Sequence, residues 1–427
     1  MITLVATCLF GLEKQLGEEI DALGLKRIET IDGRVSFSAE LTDIPRANIR
    51  LRTAERVYLS LGLFPARSFT ELFDGVHSLP FEEYIGKDDA FPVKGHAIKS
   101  TLFSVPDCQS IVKKAVVDRL SSVYGIKWFS EEGTKYQIEF FIFKDIATLM
   151  IDTSGVTLHK RGYRPAAGIA PLRETLAAAM VLGARPRLDT LIHDPFCGSG
   201  TIAIEAAMIL KNIAPGLDRE FASMEFPWIA RAAWYDAINE AQDLVRRDAT
   251  PMIYASDIDE KVLSLARENA ERAGVADYIK FYRADARDMQ KPTPDTRGTV
   301  ICNPPYGERM LELREAEALY RDIGKAFARL SPWQIYILTS HQKFEMLYGR
   351  RADKIKKLYG DKLAFHGGIN AQLWDNIDLV KAEMERIIPA MKEGGGYVFA
   401  SDHSIPNSVS FETMTEISRL AHELGKY

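Results

Sequence analysis

Two stretches carry residue types that together could do chemistry. In Leu191-Ile192-His193-Asp194-Pro195-Phe196-Cys197-Gly198-Ser199-Gly200-Thr201 an acid closes an apolar run, two glycines follow, and Thr201 opens an apolar helix over 202–210. A strand, a tight glycine turn and a helix start bring backbone N–H groups close to a ligand. In Val300-Ile301-Cys302-Asn303-Pro304-Pro305-Tyr306-Gly307-Glu308-Arg309 a short strand delivers an amide, two prolines and an aromatic ring to its C-terminal end. The first stretch reads as a cradle for a cofactor, the second as a holder for a flat base with an exocyclic amine.

The glycine turn alone is ambiguous. Gly198-x-Gly200-x-x-Ala203 also fits a dinucleotide fingerprint, which expects an acid about 20 residues further on; here Asp257 arrives only after a long insertion. The company of Asp194, Asp257, Asp285 and Asn303 favours S-adenosylmethionine. Asp194 can accept from the amino group of this cofactor, and Asp257 can take both ribose hydroxyls, because one carboxylate accepts several hydrogen bonds. Ile258 would pack on the adenine and Asp285, with Ala286 beside it, would receive the adenine amine. Pro195, Phe196, Gly198, Gly200, Thr201 and Asn303 complete the expected cofactor-binding set. Each acid taken alone is equally a strand-end turn or a helix cap.

Methylating an exocyclic amine is hard because its lone pair is delocalised into the ring. Acceptors from the Asn303 side chain and the Pro304 carbonyl can hold the amine hydrogens and favour a lone pair aimed at the methyl donor, while Tyr306 stacks on the base. Catalysis of this kind is mostly positioning, and neither a metal nor a general base of shifted pKa is expected. A carbon-5 cytosine enzyme would place a cysteine after the proline; here Pro305 is followed by Tyr306. Cys197 and Cys302 therefore read as small buried hydrophobes.

The elements that must position these residues occupy a chain of 427 residues, enough for two or three domains, with 46% hydrophobic content. A net charge of −5 gives no global positive field, so a nucleic-acid partner would need a local basic face. Four scattered cysteines without C-x-x-C spacing argue against a disulfide framework or a zinc site and suit a reducing cytoplasm. There is no signal-peptide pattern at Met1 to Thr7 and no apolar run approaching about 18 residues, so a soluble cytoplasmic protein without a membrane partner is expected.

Along the chain, a strand at 2–6, a helix at 12–23, strands at 27–29 and 34–38, a helix at 44–52 and a strand at 58–64 give the ferredoxin-like order βαββαβ. A second α+β unit follows, with a helix at 76–84, a strand at 90–97, a helix at 110–124 and a hairpin of 136–143 with 146–152. Lys94, His96, Lys99, Ser100, Thr101, Lys113 and Lys114 lie around it. They are either a solvated face or, as a group, a surface for a phosphate backbone. The basic linker 157–165 carries Lys160, Arg161 and Arg164, which either reach RNA or pack one domain on the next.

From residue 171 a helix, strands at 191–194, 252–256, 279–282, 300–302 and 334–340, and helices between them predict a parallel α/β sheet with its ligands at the carboxyl ends of the strands. An insertion at 211–249 holds Phe221, Phe226, Trp228, Trp234 and Tyr235, which read as core rather than as a substrate platform.

The motifs Asp194-Pro195-Phe196-Cys197-Gly198-Ser199-Gly200-Thr201 and Asn303-Pro304-Pro305-Tyr306-Gly307-Glu308-Arg309 closely resemble those of the class I, S-adenosylmethionine-dependent RNA methyltransferases with an N-terminal THUMP domain. The nearest match is the bacterial large-subunit ribosomal RNA guanine-N2 group. The resemblance spans roughly residues 1–358. It implies a ferredoxin-like domain at 1–64, an RNA-binding THUMP domain at 65–156, a linker at 157–170 and a Rossmann-like methyltransferase domain at 171–358. It further implies the N2 amine of a guanine in 23S ribosomal RNA as target, with THUMP presenting the RNA. The Asn-Pro-Pro-Tyr tetrad is shared with adenine-N6 and glutamine methyltransferases, so a transfer-RNA or DNA amino-methyltransferase is the alternative enzyme. An RNA-binding protein with an impaired catalytic domain is the alternative of another class.

The tail, 359–427, departs from this family. Its glycines at 367–368 and 394–396 around a helix at 377–391 resemble the last βα units of a uroporphyrinogen-decarboxylase-like TIM barrel, and it carries ten acidic against six basic side chains. A barrel needs eight such units, so His366, Asp402 and His403 are not expected to be catalytic.

Overall fold

A computed structural model gives the structure of the protein and describes residues 1–164, 172–305, 313–341, 344–349, 365–366, 374, 376–392, 397–398 and 409–424. The chain divides into two compact units, one of Met1–Pro304 with Leu330–Leu338, the other of Pro305–Arg329 with Thr339–Tyr427.

The first unit begins with β1 (Ile2–Cys8), α1 (Glu13–Ala22), β2 (Lys26–Ile31), β3 (Arg34–Ala39), α2 (Asp43–Arg50) and β4 (Ala54–Pro65), the expected βαββαβ order. The period-2 alternation of a strand sorts β1: Leu4 and Ala6 enter the main core, while Val5 turns to the opposite face and meets Tyr58 and Met150. Next come α3 (Phe69–His77), β5 (Val93–Ile98), α4 (Val105–Tyr124), β6 (Ile138–Phe143) and β7 (Ile146–Asp152). The strands of both parts form one seven-stranded sheet, ordered β2-β3-β1-β4-β7-β6-β5. The twelve-residue β4 makes this continuity, since it pairs with β1 on one edge and with β7 on the other, from Tyr58↔Asp152 to Pro65↔Ile146.

Two helices differ from the sequence expectation. The helix expected at 76–84 is formed only at 76–77, the last turn of α3, which starts at Phe69. Ser68-x-x-Glu71 is a capping sequence: the Ser68 hydroxyl accepts from Glu71 N at 3.1 Å and the Glu71 carboxylate accepts from Arg67 N at 2.8 Å. The helix ends before Pro80, leaving a short 3-10 turn at Phe81–Glu83. In the same way α4 starts at Val105 rather than 110, with Pro106 in its first turn, where a missing N–H costs nothing.

The remainder of this unit holds α5 (Glu174–Gly183), β8 (Leu191–Asp194), α6 (Thr201–Lys211), α7 (Arg231–Asp243), β9 (Ile253–Asp257), α8 (Glu260–Arg272), β10 (Ile279–Arg283), β11 (Gly298–Cys302) and β12 (Gln334–Ile337). Its five strands are parallel in the order β10-β9-β8-β11-β12. Strand order therefore reverses between β8 and β11, the place where open α/β sheets leave a crevice for ligands.

The insertion after α6 belongs to the core of the N-terminal part. Phe221, Phe226 and Trp234 are buried there, with Phe226 stacked on Tyr136 at 4.5 Å and Phe221 on Trp234 at 5.3 Å. Glu240 on α7 pairs with Arg46 and Arg50 of α2 at 2.8 and 2.7 Å. Tyr235 is the exception in this aromatic set, pointing into solvent.

The second unit contains α9 (Leu313–Ala328), α10 (Phe344–Tyr348), β13 (Phe365–His366), α11 (Ile377–Lys392), β14 (Tyr397–Val398) and α12 (Phe411–Leu424). The buried Tyr320 of α9 donates its hydroxyl to the Pro305 carbonyl at 2.8 Å and meets Phe344 edge-on. In the tail β13 and β14 pair in parallel with α11 between them, and α11 packs on α12 through Val380, Met384, Ile387, Ile417 and Leu420. Residues 360–364, 367–373, 393–396 and 399–408, with Asp402 and His403, lie outside the described residues. Among the described residues no helix is long and apolar enough to cross a membrane.

Candidate functional site at the carboxyl ends of the parallel strands

Four strand ends lie side by side. The register pairs Asp194 with Ala255 and Asp257 with Arg283, while Val300 lies opposite His193. Asp194, Asp257, Asp285 and Asn303 thus stand just at or beyond the ends of the neighbouring strands β8, β9, β10 and β11. This is the geometry that the sequence spacing implied, and the insertion between β8 and β9 does not disturb it.

The turn after β8 is built around two left-handed glycines, Gly198 at φ +50° and Gly200 at φ +85°. A Cβ on Gly200 would come to 3.1 Å from the Cβ of Ala266 on α8, so glycine lets α6 and α8 close up there. Above Gly198 no heavy atom lies within 4 Å of the place a Cβ would take, which leaves its backbone open to a ligand. The Gly198 amide donates to Asp257 Oδ2 at 3.0 Å, the Asp259 amide to Asp257 Oδ1 at 3.1 Å, and Cys197 N to the Ser256 carbonyl at 3.0 Å.

Asp194 is buried, and its carboxylate accepts from Phe196 N at 3.1 Å. Burial, with a smaller contribution from the Asp257 charge, pushes its pKa up to about 8. A cation brought to Asp194 would relieve that penalty, which suits the ammonium group of a methionyl ligand. Ile258 is 58% exposed, an apolar face free to meet a ring. Ala286 is buried, and Pro195 lies buried beside a half-buried Phe196. Asp285 caps the short turn at Ala286–Asp288 and is held by Arg287, at 2.9 Å from the backbone N and 2.9 to 3.0 Å from Nε. Those hydrogen bonds hold its carboxyl below the usual range. Asp285 is therefore positioned by Arg287, two residues along the same turn.

Asn303 is half-buried and Pro304 buried at the end of β11. Tyr306 lies outside the described residues. Cys302 and Cys197 are both buried, and burial raises both thiols well above their ordinary pKa, so neither is poised as a thiolate nucleophile.

The basic residues separate into two groups. Lys99, Lys114 and Lys160 are exposed. Lys94 pairs with Glu139 at 3.1 Å, and Lys113 pairs with Glu131 at 2.5 Å with its ammonium 3.7 Å over the Phe91 ring. Arg161 is removed from the expected RNA-binding set: it is 4% exposed, donates to the carbonyls of Leu158 and Arg52, and faces the buried Glu205 of α6. A guanidinium in that position packs one domain on the next and cannot meet a phosphate backbone. Arg164 is held between Glu174 and Thr201. Pro165, which ends the linker motif, lies outside the described residues.

Two buried polar residues support the site, neither singled out by its motif chemistry. His193 Nε2 lies 3.1 Å from the Ser256 hydroxyl and 3.2 Å from that of Tyr282, tying β8 to β9 and β10; burial lowers its pKa to about 4 and keeps it neutral. Asn269 donates to the Ser199 carbonyl at 3.0 Å, fixing the glycine turn from α8. Its signal was an amide on the otherwise apolar face of Leu263, Ala266 and Ala270. Among the described residues no three His, Cys, Asp or Glu side chains gather to hold a metal ion.

Comparison with known proteins agrees with this layout. Residues 3–58 match the RlmL ferredoxin-like domain, 66–152 the THUMP domain, and 161–366 the RMKL-like methyltransferase domain. The chain is 43% identical over 359 residues to the "Putative RNA methyltransferase YpsC" of Bacillus subtilis, covering 84% of this chain and 92% of that protein. It is 34% identical over 380 residues to the ribosomal RNA large subunit methyltransferase K/L of Syntrophotalea carbinolica, covering 85% of this chain but spanning only about half, 52%, of that relative. Among solved structures, a "predicted N6-adenine-specific DNA methylase" from Listeria monocytogenes is similar at 46% identity and a TM-score of 0.78, over 82% of this chain and 92% of the other. SMU.472, a putative methyltransferase complexed with SAH, is similar at 40% identity and a TM-score of 0.76, over 82% and 93%.

The cofactor is S-adenosylmethionine, and the buried acid at Asp194 with the open glycine turn fits its charged amino-acid end. The chain belongs to the THUMP-bearing, RMKL-like family of S-adenosylmethionine-dependent methyltransferases.

Proposed function

We propose that this protein methylates the exocyclic N2 amine of a guanine in 23S ribosomal RNA, in the cytoplasm. The observation that carries the reading is the placement of Asn303 and Pro304 at the end of β11, the strand next to β8 across the point where strand order reverses. When bound, the cofactor supplies an electrophilic methyl group on a sulfonium. The chain's own part is to hold and to orient. The turn at Gly198 and the carboxylates of Asp194, Asp257 and Asp285 bind the cofactor. The Asn303 side chain and the Pro304 carbonyl accept the two amine hydrogens, which turns the nitrogen lone pair out of conjugation with the ring. Tyr306 stacks on the base. The exposed Lys99, Lys114 and Lys160 supply phosphate contacts that position the RNA without reading its sequence.

The choice of ribosomal RNA draws support from the similarity to large-subunit ribosomal RNA methyltransferases. The choice of guanine N2 rests on the motif resemblance. An adenine-N6 amine is the second reading, because the Asn-Pro-Pro-Tyr tetrad serves both amines and a similar solved protein carries that description. Labelled methyl transfer to ribosomal RNA lacking the modification, followed by nucleoside analysis, separates the two.

A further inference from the structure

The amino-acid end of the cofactor carries a carboxylate as well as an ammonium group. Asp194, Asp257 and Asp285 all repel an anion, so the carboxylate needs donors of its own near the glycine turn. We infer that Arg164, delivered by the linker rather than by the parallel sheet, is the residue that binds the cofactor carboxylate, with Glu174 as the positioning residue that aims it.

The guanidinium is gripped along one edge. Arg164 Nε donates to Glu174 Oε1 at 2.9 Å and Nη2 lies 2.6 Å from Oε2, while Nη1 donates to the Thr201 hydroxyl at 3.2 Å. Thr201 is the first residue of α6 and directly follows the left-handed Gly200. The Ser199 hydroxyl lies 3.3 Å from that of Thr201. Gly200 occupies the N-cap position and offers no side-chain cap, so the first N–H groups of α6 lack a capping side chain. A planar guanidinium, two hydroxyls and helix amides that no N-cap side chain caps thus converge beside the turn, and a carboxylate matches that donor set. The Arg164 side chain is 14% exposed and Glu174 4%, too enclosed for a phosphate backbone but open enough for a small group entering at the turn. The inference rests on the cofactor lying at the glycine turn.

The test compares S-adenosylmethionine with decarboxylated S-adenosylmethionine, which keeps the sulfonium and the ammonium and lacks only the carboxylate. Affinities are measured by calorimetry on the full chain. Arg164→Ala is expected to weaken S-adenosylmethionine by about 10- to 100-fold, the range for a charge-assisted hydrogen bond, and to change the decarboxylated ligand less than about 3-fold. Equal weakening of both ligands would reduce Arg164 to a structural prop of the turn, and no change in either would remove it from the site; each overturns the inference. Should Arg164→Ala not fold, Arg164→Lys keeps the charge without the fork. It is then expected to weaken the carboxylate-bearing ligand alone, and parallel losses again overturn the inference. Asp257→Ala should weaken both ligands alike. Failure of that control overturns the placement of the cofactor, whereas loss of discrimination between the two ligands concerns Arg164.

Discussion

The backbone amide of Gly198 donates to the carboxylate of Asp257 across 3.0 Å, linking the turn after β8 to the end of β9. The residue proposed for the ribose therefore also holds the loop proposed for the methionyl end. Each Asp257 oxygen takes one backbone amide and keeps lone pairs for a hydroxyl. Asp257→Ala is accordingly expected to weaken S-adenosylhomocysteine by about 10- to 100-fold. Calorimetry checks this, and an unchanged affinity would detach Asp257 from the cofactor.

Asn303 divides the labour differently. Asn303→Ala is expected to lower the rate of methyl transfer by about 100-fold or more, the scale of losing one aligned polar group in a transition state. Affinity for S-adenosylhomocysteine should stay within about 3-fold. Single-turnover kinetics at saturating cofactor, set beside binding data, check the split. Equal losses in rate and in cofactor affinity would contradict it.

The placement of the candidate site residues was legible in the sequence because they sit at strand ends within short motifs. The βαββαβ order and the parallel sheet were readable from periodicity, and the core role of Phe221, Phe226 and Trp234 from the large area such rings bury. What could not be read were relationships made by folding over long separations. That β4 joins two expected domains into one sheet depends on both its edges finding partners, one of them almost 90 residues away in β7. The burial of Arg161 depends on Glu205 of α6, a residue with no sequence mark distinguishing it from a solvated glutamate. Asn269 and His193 are single polar residues on apolar elements, and only the structure supplies their partners.

Of the two roles open to Arg161 in the sequence, RNA contact and interdomain packing, its burial against Glu205 favours packing and gives a stability prediction. Removing Arg161 takes away the larger of the two cations that offset the buried Glu205 charge, a loss of up to about 3–5 kcal/mol. Burial already raises the Glu205 pKa, and the charges of Arg161 and Arg52 oppose that rise. Arg161→Ala should unfold at clearly lower urea, whereas Lys160→Ala should not. A fully stable Arg161→Ala with weakened RNA binding would favour the RNA-contact alternative instead.

Asp194 gives a pH dependence of definite sign. Its pKa is raised from the ordinary 3.8 to about 8, so its protonated form is favoured by folding. The stability it contributes is fully present below about pH 4 and is lost progressively as pH rises towards 8. Asp194→Asn removes that loss. Without cofactor the variant should therefore match the native protein near pH 4 and exceed it in urea midpoint at pH 8 to 9, while binding the cofactor less tightly. A native protein whose advantage over the variant grows with pH would reverse the sign.

Identifying the methylated atom is the most direct measurement. Ribosomal RNA from cells lacking this protein, incubated with the purified chain and methyl-labelled cofactor, should yield labelled N2-methylguanosine on digestion, with primer extension stopping at one guanine of 23S RNA. Labelled N6-methyladenosine, or no incorporation by a protein that still binds both cofactor and RNA, would contradict the account.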